Sequence, residues 1–416
     1  MTAIEPLTVD PPRTSLAEPR FLALLAITTL FGLSFSTYFL LPKFLAVELA
    51  ADPVTIGGVT TIFWLASVLV VPFAGQQIDR RGRLGFAGLG GLLLALSCAG
   101  FVFVETVGPL IWMLRIAQGV GFTLFYVAAA TLVADLSPPA RLGQTLGLFG
   151  AVMIFTNAAG PAFAEWASGL FGWRVVFAAT ALTALLATLG TRLLREPAVP
   201  HAAGPHAGLI QVLQRPGMAP VILVSTLAGW VFGSLFTFYQ PWALSLDIPQ
   251  VAGYLVAYAV AAIAMRILAG SVADRLGRVP VVRAMLLLYV LAPLAVIWID
   301  RIGLPAAGAI LGVFQGIYYP ALNAIAIELA SAAERGKVMA AYNGAFNLGL
   351  SAAGLTLGHL AAAQGYLIVF ELAAAVSLAM FLVFVLGFGR GPTAPDTAEF
   401  TTTEPGESPP GPASPR

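Results

Sequence analysis

Three ionisable residues lie in or at the edge of long apolar stretches, where charge is costly: Arg115, Glu165 and His359. A carboxylate, an imidazole or a buried arginine in such surroundings can take part in binding and releasing protons. We expect proton transfer at these positions, with Arg115 acting together with Glu165 or Asp135. The alternatives are that Arg115 is a buried structural arginine and that the other two residues are wetted by solvent.

Polar side chains also recur at helical spacing within the apolar stretches. Gln315, Tyr319 and Asn323 lie at i, i+4 and i+8, and Asn343 and Asn347 repeat the spacing. Polar stripes of this kind point into a cavity or form hydrogen bonds between helices. Amides and phenols suit an uncharged or amphipathic organic molecule, and they do not resemble a metal site. The candidate cavity residues are Tyr38, Gln118, Tyr126, Asn157, Tyr239, Gln240, Tyr258, Gln315, Tyr319, Asn323, Asn343 and Asn347.

Other chemistry has little support in the sequence. The chain contains no G-x-S-x-G, H-E-x-x-H or Walker lysine motif, so we expect no enzyme. The net charge of +1 gives no basic surface for nucleic acid. Cys98 is the single cysteine, which excludes an intramolecular disulfide and a thiolate metal site. No cofactor is expected.

The elements that position these residues are membrane-spanning helices. Of the 416 residues, 59% are hydrophobic and 10% charged, far from the composition of a soluble domain. Each charge-free apolar run is too long for a barrel strand, and backbone groups in lipid must be satisfied internally. The twelve runs are 21–42, 53–78, 84–104, 116–134, 142–164, 175–191, 216–246, 248–265, 284–299, 302–327, 338–358 and 372–389.

Basic residues indicate the orientation of the spans. With both termini in the cytoplasm, the tails and even-numbered loops hold 16 of the 21 Lys and Arg. The other face holds Lys43, Arg174 and Arg301, and Arg266 is expected to extend from its run to the membrane surface. The first 20 residues carry no signal-peptide pattern, and the proline-rich residues 391–416 are expected to be disordered. We expect a monomeric multi-pass protein of the inner membrane.

The two halves of the chain repeat each other. Residues 141–160 and 335–354 align without a gap, and six of these 20 positions are identical. We therefore predict an N-terminal tail (1–20), a six-helix bundle (21–194), a central loop (195–217), a second six-helix bundle (218–390) and a C-terminal tail (391–416). Two such repeats commonly enclose a site between them.

The repeated loop resembles the signature of the major facilitator superfamily. The pattern G-x-x-x-D-R-x-G-R occurs at residues 75–83 and again at 270–278. Arg115, Gln118, Gly119 and Gly121 resemble a motif of proton-coupled members, and Gly160 with Pro161 partly matches an antiporter motif. The resemblance implies an all-α fold of 12 transmembrane helices in two pseudo-repeated bundles, and an exporter-like function.

The signature loops also suggest a gate. Their aspartates can face a helix N-terminus, and their arginines can pair with Asp135 and Glu328. Breaking such contacts would change which face is open. The expected gating residues are Gly75, Asp79, Arg80, Gly82, Arg83, Asp135, Arg141, Gly270, Asp274, Arg275, Gly277, Arg278, Glu328 and Arg335. The alternative is a simple anchor of positive charge that fixes topology.

The resemblance implies alternating-access transport, and we expect proton-coupled efflux of a small organic compound. Protons, the solute and the lipid bilayer are the expected partners. Uptake by symport, or uniport, of a sugar-like or organic-acid solute is one alternative. A non-transporting assembly factor or sensor is an alternative of another class, since one fold hosts many functions.

Overall fold

The structure is a computed structural model that describes residues 19–137, 141–196, 214–268, 273, 275–330 and 335–388. The predicted tails and most of the central loop lie outside these ranges. The helices are α1 (Pro19–Val47), α2 (Pro53–Arg81), α3 (Arg83–Phe101), α4 (Pro109–Asp135), α5 (Leu142–Phe171), α6 (Trp173–Thr191), α7 (Met218–Ser245), α8 (Ala252–Leu268), α9 (Arg278–Ile297), α10 (Leu304–Glu328), α11 (Arg335–Gln364) and α12 (Leu367–Phe388).

Each predicted apolar run overlaps one of these helices over most of its length, and the predicted all-α membrane fold is confirmed. In the part of the chain that the structure describes, ten helices are long and apolar enough to cross a membrane. The apolar α8 is shorter, with 17 residues. The 30-residue α11 contains the polar stripe of Asn343 and Asn347 and is less apolar than those ten helices. Large apolar side chains such as Leu69, Phe103 and Leu386 cover the outer surface, where they suit a lipid environment.

Two helices are interrupted where a proline ring conflicts with the backbone carbonyl four residues earlier. In α1 a 3-10 turn at Tyr38–Leu40 precedes Pro42. In α9 the break between Leu288 and Leu291 precedes Pro293. A short helical turn, Ile299–Ile302, follows α9.

The helices pack as two sets with the same pattern of neighbours. In the first set α1 packs on α5 and α6, and α4 packs on α2 and α3. In the second set α7 packs on α11 and α12, and α10 packs on α8 and α9. The sets meet mainly where α2 packs on α11 and α5 packs on α8. The repeat read from the sequence therefore has a counterpart in the packing.

We call the face where α1 begins and α12 ends the terminal face, and the opposite one the far face. The signature loops turn at the terminal face. Gly82 and Gly277 have φ values of +98° and +86° there, a backbone region that favours glycine. The glycine of the motif is thus required by the backbone conformation of the turn between two helices.

Candidate functional site

The two sets of helices are joined at the far face by a carboxylate. Glu165 near the end of α5 lies 2.6 Å from the ammonium group of Lys43 in α1. Its two oxygens also accept hydrogen bonds from the backbone N–H groups of Val251 (2.9 Å) and Ala252 (2.7 Å), at the N-terminus of α8. Lys43 donates a further bond to the carbonyl of Pro249. A negative charge at a helix N-terminus is favourable, so this contact stabilises closure of the far face.

A buried amide adds a second link across the same face. Gln240 of α7 donates to the carbonyl of Phe39 (2.7 Å) and accepts from the backbone N–H of Lys43 (3.1 Å). The rings of Phe39 and Phe236 meet edge to face at 5.7 Å beside it. Gln240, predicted as a cavity residue, thus lies in the contact between α1 and α7.

The seam between α2 and α11 is tightly packed. Thr61 donates to the carbonyl of Ser351 at 2.9 Å. Gly57 and Gly354 approach so closely that a Cβ atom on Gly57 would lie 2.2 Å from the Gly354 carbonyl oxygen. Because Thr61 lies in the half of α2 nearer Pro53, this seam also belongs to the far-face side.

At the terminal face, the predicted partners of the signature arginines are present. Arg83 lies 3.1 Å from Asp135, and Arg278 pairs with Glu328. The backbone N–H of Arg83 also donates to Glu196. Each of these pairs lies inside one set of helices. They brace the ends of α4 and α10 against their neighbours and do not themselves join the two sets.

The remaining gating candidates are placed in part. Gly75, Asp79 and Arg80 belong to the last turns of α2, but their side chains lie outside the described part, as do Gly270 and Asp274 altogether. Arg141, Arg275 and Arg335 are exposed. Their gating role stays a prediction.

A cluster of aromatic rings, which we call the aromatic cluster, draws its members from both sets of helices. Neighbouring ring centroids are 4.1 to 6.4 Å apart, and the contact of Phe39 with Phe236 connects the sets. Sequence reasoning missed the phenylalanines of this cluster, because phenylalanine is ordinary in any membrane helix. The members are Phe35, Phe39, Phe63, Trp64, Phe122, Tyr126, Phe149, Phe232, Phe236, Tyr258, Tyr319 and Phe346.

An open cavity of about 400 Å³ lies beside this cluster, between α8 and α10. Its polar lining comprises Arg266, Arg278, Tyr319 and Asn323. The Tyr319 hydroxyl donates to the amide oxygen of Asn343 at 3.0 Å, which places α11 beside the same space. Tyr126, on α4 of the other set, is 39% exposed and contacts Phe122 and Phe149.

Four predicted cavity residues instead lie in the interior of their own set. Tyr38 packs between Phe101 and Phe177, and Gln118 bonds to Arg115. The Tyr239 hydroxyl donates to the Val251 carbonyl, and Gln315 accepts from Tyr289. Helical spacing identifies a polar face without showing whether it meets a cavity or a neighbouring helix, so a cavity role for these residues stays a prediction.

Arg115 is buried without the carboxylate partner that we expected. It donates to the Val59 carbonyl (3.2 Å) and to Gln118 (2.7 Å), and its guanidinium lies 4.5 Å from the centre of the Phe63 ring. Asp135 pairs with Arg83 and Glu165 with Lys43, so neither reaches Arg115 in this conformation. Lys43 was expected only as a charge of the other face, and its pairing with Glu165 was not predicted.

Three further candidates occupy separate places. His359 is exposed and lines a crevice of about 240 Å³ with Thr55, Thr61 and Trp112. The Asn157 side chain has a buried oxygen without a hydrogen-bond partner in the described part of the chain. The Asn347 backbone carbonyl accepts from Ser351 within α11. Among the described residues, no group of His, Cys, Asp and Glu is arranged to hold a metal ion.

Fold and site together define a multi-pass α-helical membrane protein with an aromatic cluster shared by two repeated sets of helices. The chain belongs to the Major Facilitator Superfamily, whose family model matches residues 22–304 and 243–413.

Among known relatives, the chain is similar to Multidrug resistance protein MdtG of Dickeya zeae, with 28% identity over 77% of this chain and 81% of that protein. It is 29% identical to Multidrug resistance protein 3 of Bacillus subtilis, over 29% of this chain but only 23% of that protein. A crystal structure of the nucleoside transporter NupG has a TM-score of 0.76 and 14% identity, covering 88% of this chain and 99% of the other. At that identity the likeness concerns the fold alone.

Proposed function

We propose that the protein is a secondary active transporter that exports a small organic compound from the cytoplasm by proton-coupled antiport. The observation that carries the proposal is the far-face contact of Glu165 with Lys43 and the N-terminus of α8. It joins the two repeated sets through charges at the far face. Alternating access requires contacts of this kind that can break and reform.

The resemblance to efflux relatives and the positive charge of the loops support the direction and orientation. We place the terminal face in the cytoplasm, so that the far-face contacts of the present conformation block access from the opposite side. The aromatic cluster offers stacking surfaces for an amphipathic compound. Arg115 is the most deeply buried of the proton-coupling candidates. Its contacts among the described residues are with neutral groups, namely the Val59 carbonyl, Gln118 and the Phe63 ring.

The test uses the purified protein in liposomes with a trapped pH dye and an acidic lumen. Pools of amphipathic drugs and neutral metabolites are added outside in turn. Loss of internal protons that depends on both solute and protein is the expected result. Equilibration of labelled solute without proton movement would indicate a uniporter, and solute uptake together with protons would indicate a symporter. Either outcome would contradict antiport.

A pair of variants tests the role of Glu165 in proton coupling in the same assay. Glu165→Gln keeps the shape of the side chain but cannot gain or lose a proton, so solute flux should lose its pH dependence. Glu105→Gln is the matched control, because Glu105 is a far-face carboxylate that is 70% exposed and paired with Arg174. Wild-type pH dependence in Glu165→Gln would remove Glu165 from the coupling mechanism.

A further inference from the structure

Arg266 gives the cavity between α8 and α10 a positive charge. The residue lies in the last turn of the described part of α8 and is exposed. Tyr319 and Asn323 line the same cavity of about 400 Å³. An arginine side chain presents five donors in a planar fork, which matches the two oxygens of a carboxylate.

The two arginines of this cavity differ in their partners. Arg278 pairs with Glu328 at the rim. Arg266 has no carboxylate of the described residues within ion-pair distance, which here means 4.0 Å. Among the described residues, a carboxylate thus offsets the charge of Arg278 and none offsets that of Arg266.

An aromatic side chain shares the cavity with Arg266. Tyr319 lines the same space, and its ring contacts those of Tyr342 and Phe346. Tyr319 and Phe346 belong to the aromatic cluster. A cation thus lies in the same cavity as a member of this cluster.

We propose that this cavity binds the anionic group of an amphipathic aromatic compound, with its carboxylate on Arg266 and its ring against the aromatic cluster. The proposal rests on the proposed function and narrows its substrate class to organic anions. An arginine near the end of a helix also interacts favourably with the helix dipole. A role of Arg266 in the helix dipole alone would require neither an open cavity nor a phenol in its lining. Such a role also predicts no preference for anionic ligands.

The experiment measures binding of two probes of similar shape, 1-naphthoate and 1-naphthalenemethanol, by equilibrium dialysis with the full-length protein in nanodiscs. Empty nanodiscs correct for partition into lipid. The wild-type protein should bind naphthoate about tenfold more tightly than the neutral alcohol, as a charge-assisted hydrogen bond predicts. Arg266→Gln should abolish this preference and leave the affinity for the alcohol unchanged, which also reports that the cavity is folded.

Two further variants make the result decisive. Arg266→Lys keeps the charge and should retain most of the preference for naphthoate. Arg301→Gln, at an exposed position of the far face, should behave as the wild type. Equal affinity of the wild-type protein for both probes, or equal weakening of both by Arg266→Gln, would overturn the anion site.

Failure of this site and failure of the proposed function give different results. A protein that shows the preference for naphthoate through Arg266 but moves no protons with any solute contradicts the proposed antiport and supports the site. Proton-coupled flux of neutral compounds, combined with equal binding of the two probes, overturns the site and leaves antiport standing.

Discussion

The Glu165 carboxylate of α5 lies 2.6 Å from the ammonium group of Lys43 in α1 and accepts two hydrogen bonds at the N-terminus of α8. The side chains of Glu165 and Lys43 are only 17% and 15% exposed. A partly buried pair is screened less by salt and water than a surface pair. Its charge therefore contributes to the balance between a closed and an open far face.

Replacing Glu165 by Gln should shift this balance toward an open far face. The amide keeps one acceptor but loses the ion pair, a change worth roughly 1–3 kcal/mol. The open population should rise by about 5- to 150-fold relative to the closed one. Spin labels on Val107→Cys and Gln250→Cys, in a Cys98→Ser background, report the distance between the two sets at this face.

The control for this measurement is Glu105→Gln, whose exposed pair with Arg174 lies within the first set of helices. Its distance distribution should match that of the unsubstituted labelled protein. Identical distributions for Glu165→Gln and Glu105→Gln would show that the Lys43 pair does not hold the far face closed.

Gly57→Ala tests the second seam of the far face. The added methyl group would lie 2.2 Å from the Gly354 carbonyl oxygen, and a backbone atom cannot move aside as a flexible side chain does. The seam between α2 and α11 must then separate, so the labelled distance should lengthen. Gly147→Ala is the matched control, since the same change on α5 meets open space. If Gly57→Ala keeps the short distance, the seam does not determine closure.

The sequence was sufficient to predict the helices and the ion pairs at the terminal face. Long apolar runs without charges have one structural solution in lipid, and the repeated loops bring Arg83 and Arg278 to the ends of neighbouring helices. The pairs with Asp135 and Glu328 follow from that geometry. The helices and these ion pairs can be predicted because they depend on local residue spacing and on the repeated loops.

The contacts between the two sets could not be predicted in the same way. Lys43 and Glu165 are 122 positions apart, and only the packing of α1, α5 and α8 brings them together. For the same reason the polar stripe did not separate Tyr319, which borders the cavity, from Gln315, which is buried against Tyr289. Whether a polar helix face meets a cavity or a neighbouring helix is determined by tertiary packing, which residue spacing does not show.

Asp52 provides a test of stability against pH. Its carboxylate accepts from the Thr55 backbone N–H at 2.9 Å, and this bond lowers the pKa of Asp52 below its ordinary value. The cap therefore stabilises α2 above about pH 4, and the stabilisation is lost as the pH falls through the lowered pKa. Asp52→Ala should cost about 1 kcal/mol or less at pH 7, since Asp52 is exposed to solvent.

Thermal unfolding in detergent at pH 7 and at pH 3 measures the effect of Asp52→Ala. The difference in Tm from the wild type should shrink at the lower pH. Asp52→Asn is the control, because an amide caps the helix without titrating. A difference that is the same at both pH values would mean that the carboxylate charge does not stabilise the cap.

Asp79→Asn tests whether the first signature loop takes part in gating. Asp79 belongs to the last turn of α2, beside the turn at Gly82 that leads into α3. Its charge can favour contact with a helix N-terminus in the conformation that closes the terminal face, and such an effect falls mainly on the rate of conformational change. Solute flux in liposomes should therefore fall by about tenfold or more, while thermal unfolding stays close to that of the wild type. The matched control is Asp300→Asn, at an exposed aspartate of the far face. This substitution should leave the solute flux and the thermal unfolding unchanged. Normal flux in Asp79→Asn at normal expression would leave the loop as a topological anchor, because a simple anchor needs its positive charges and not this carboxylate.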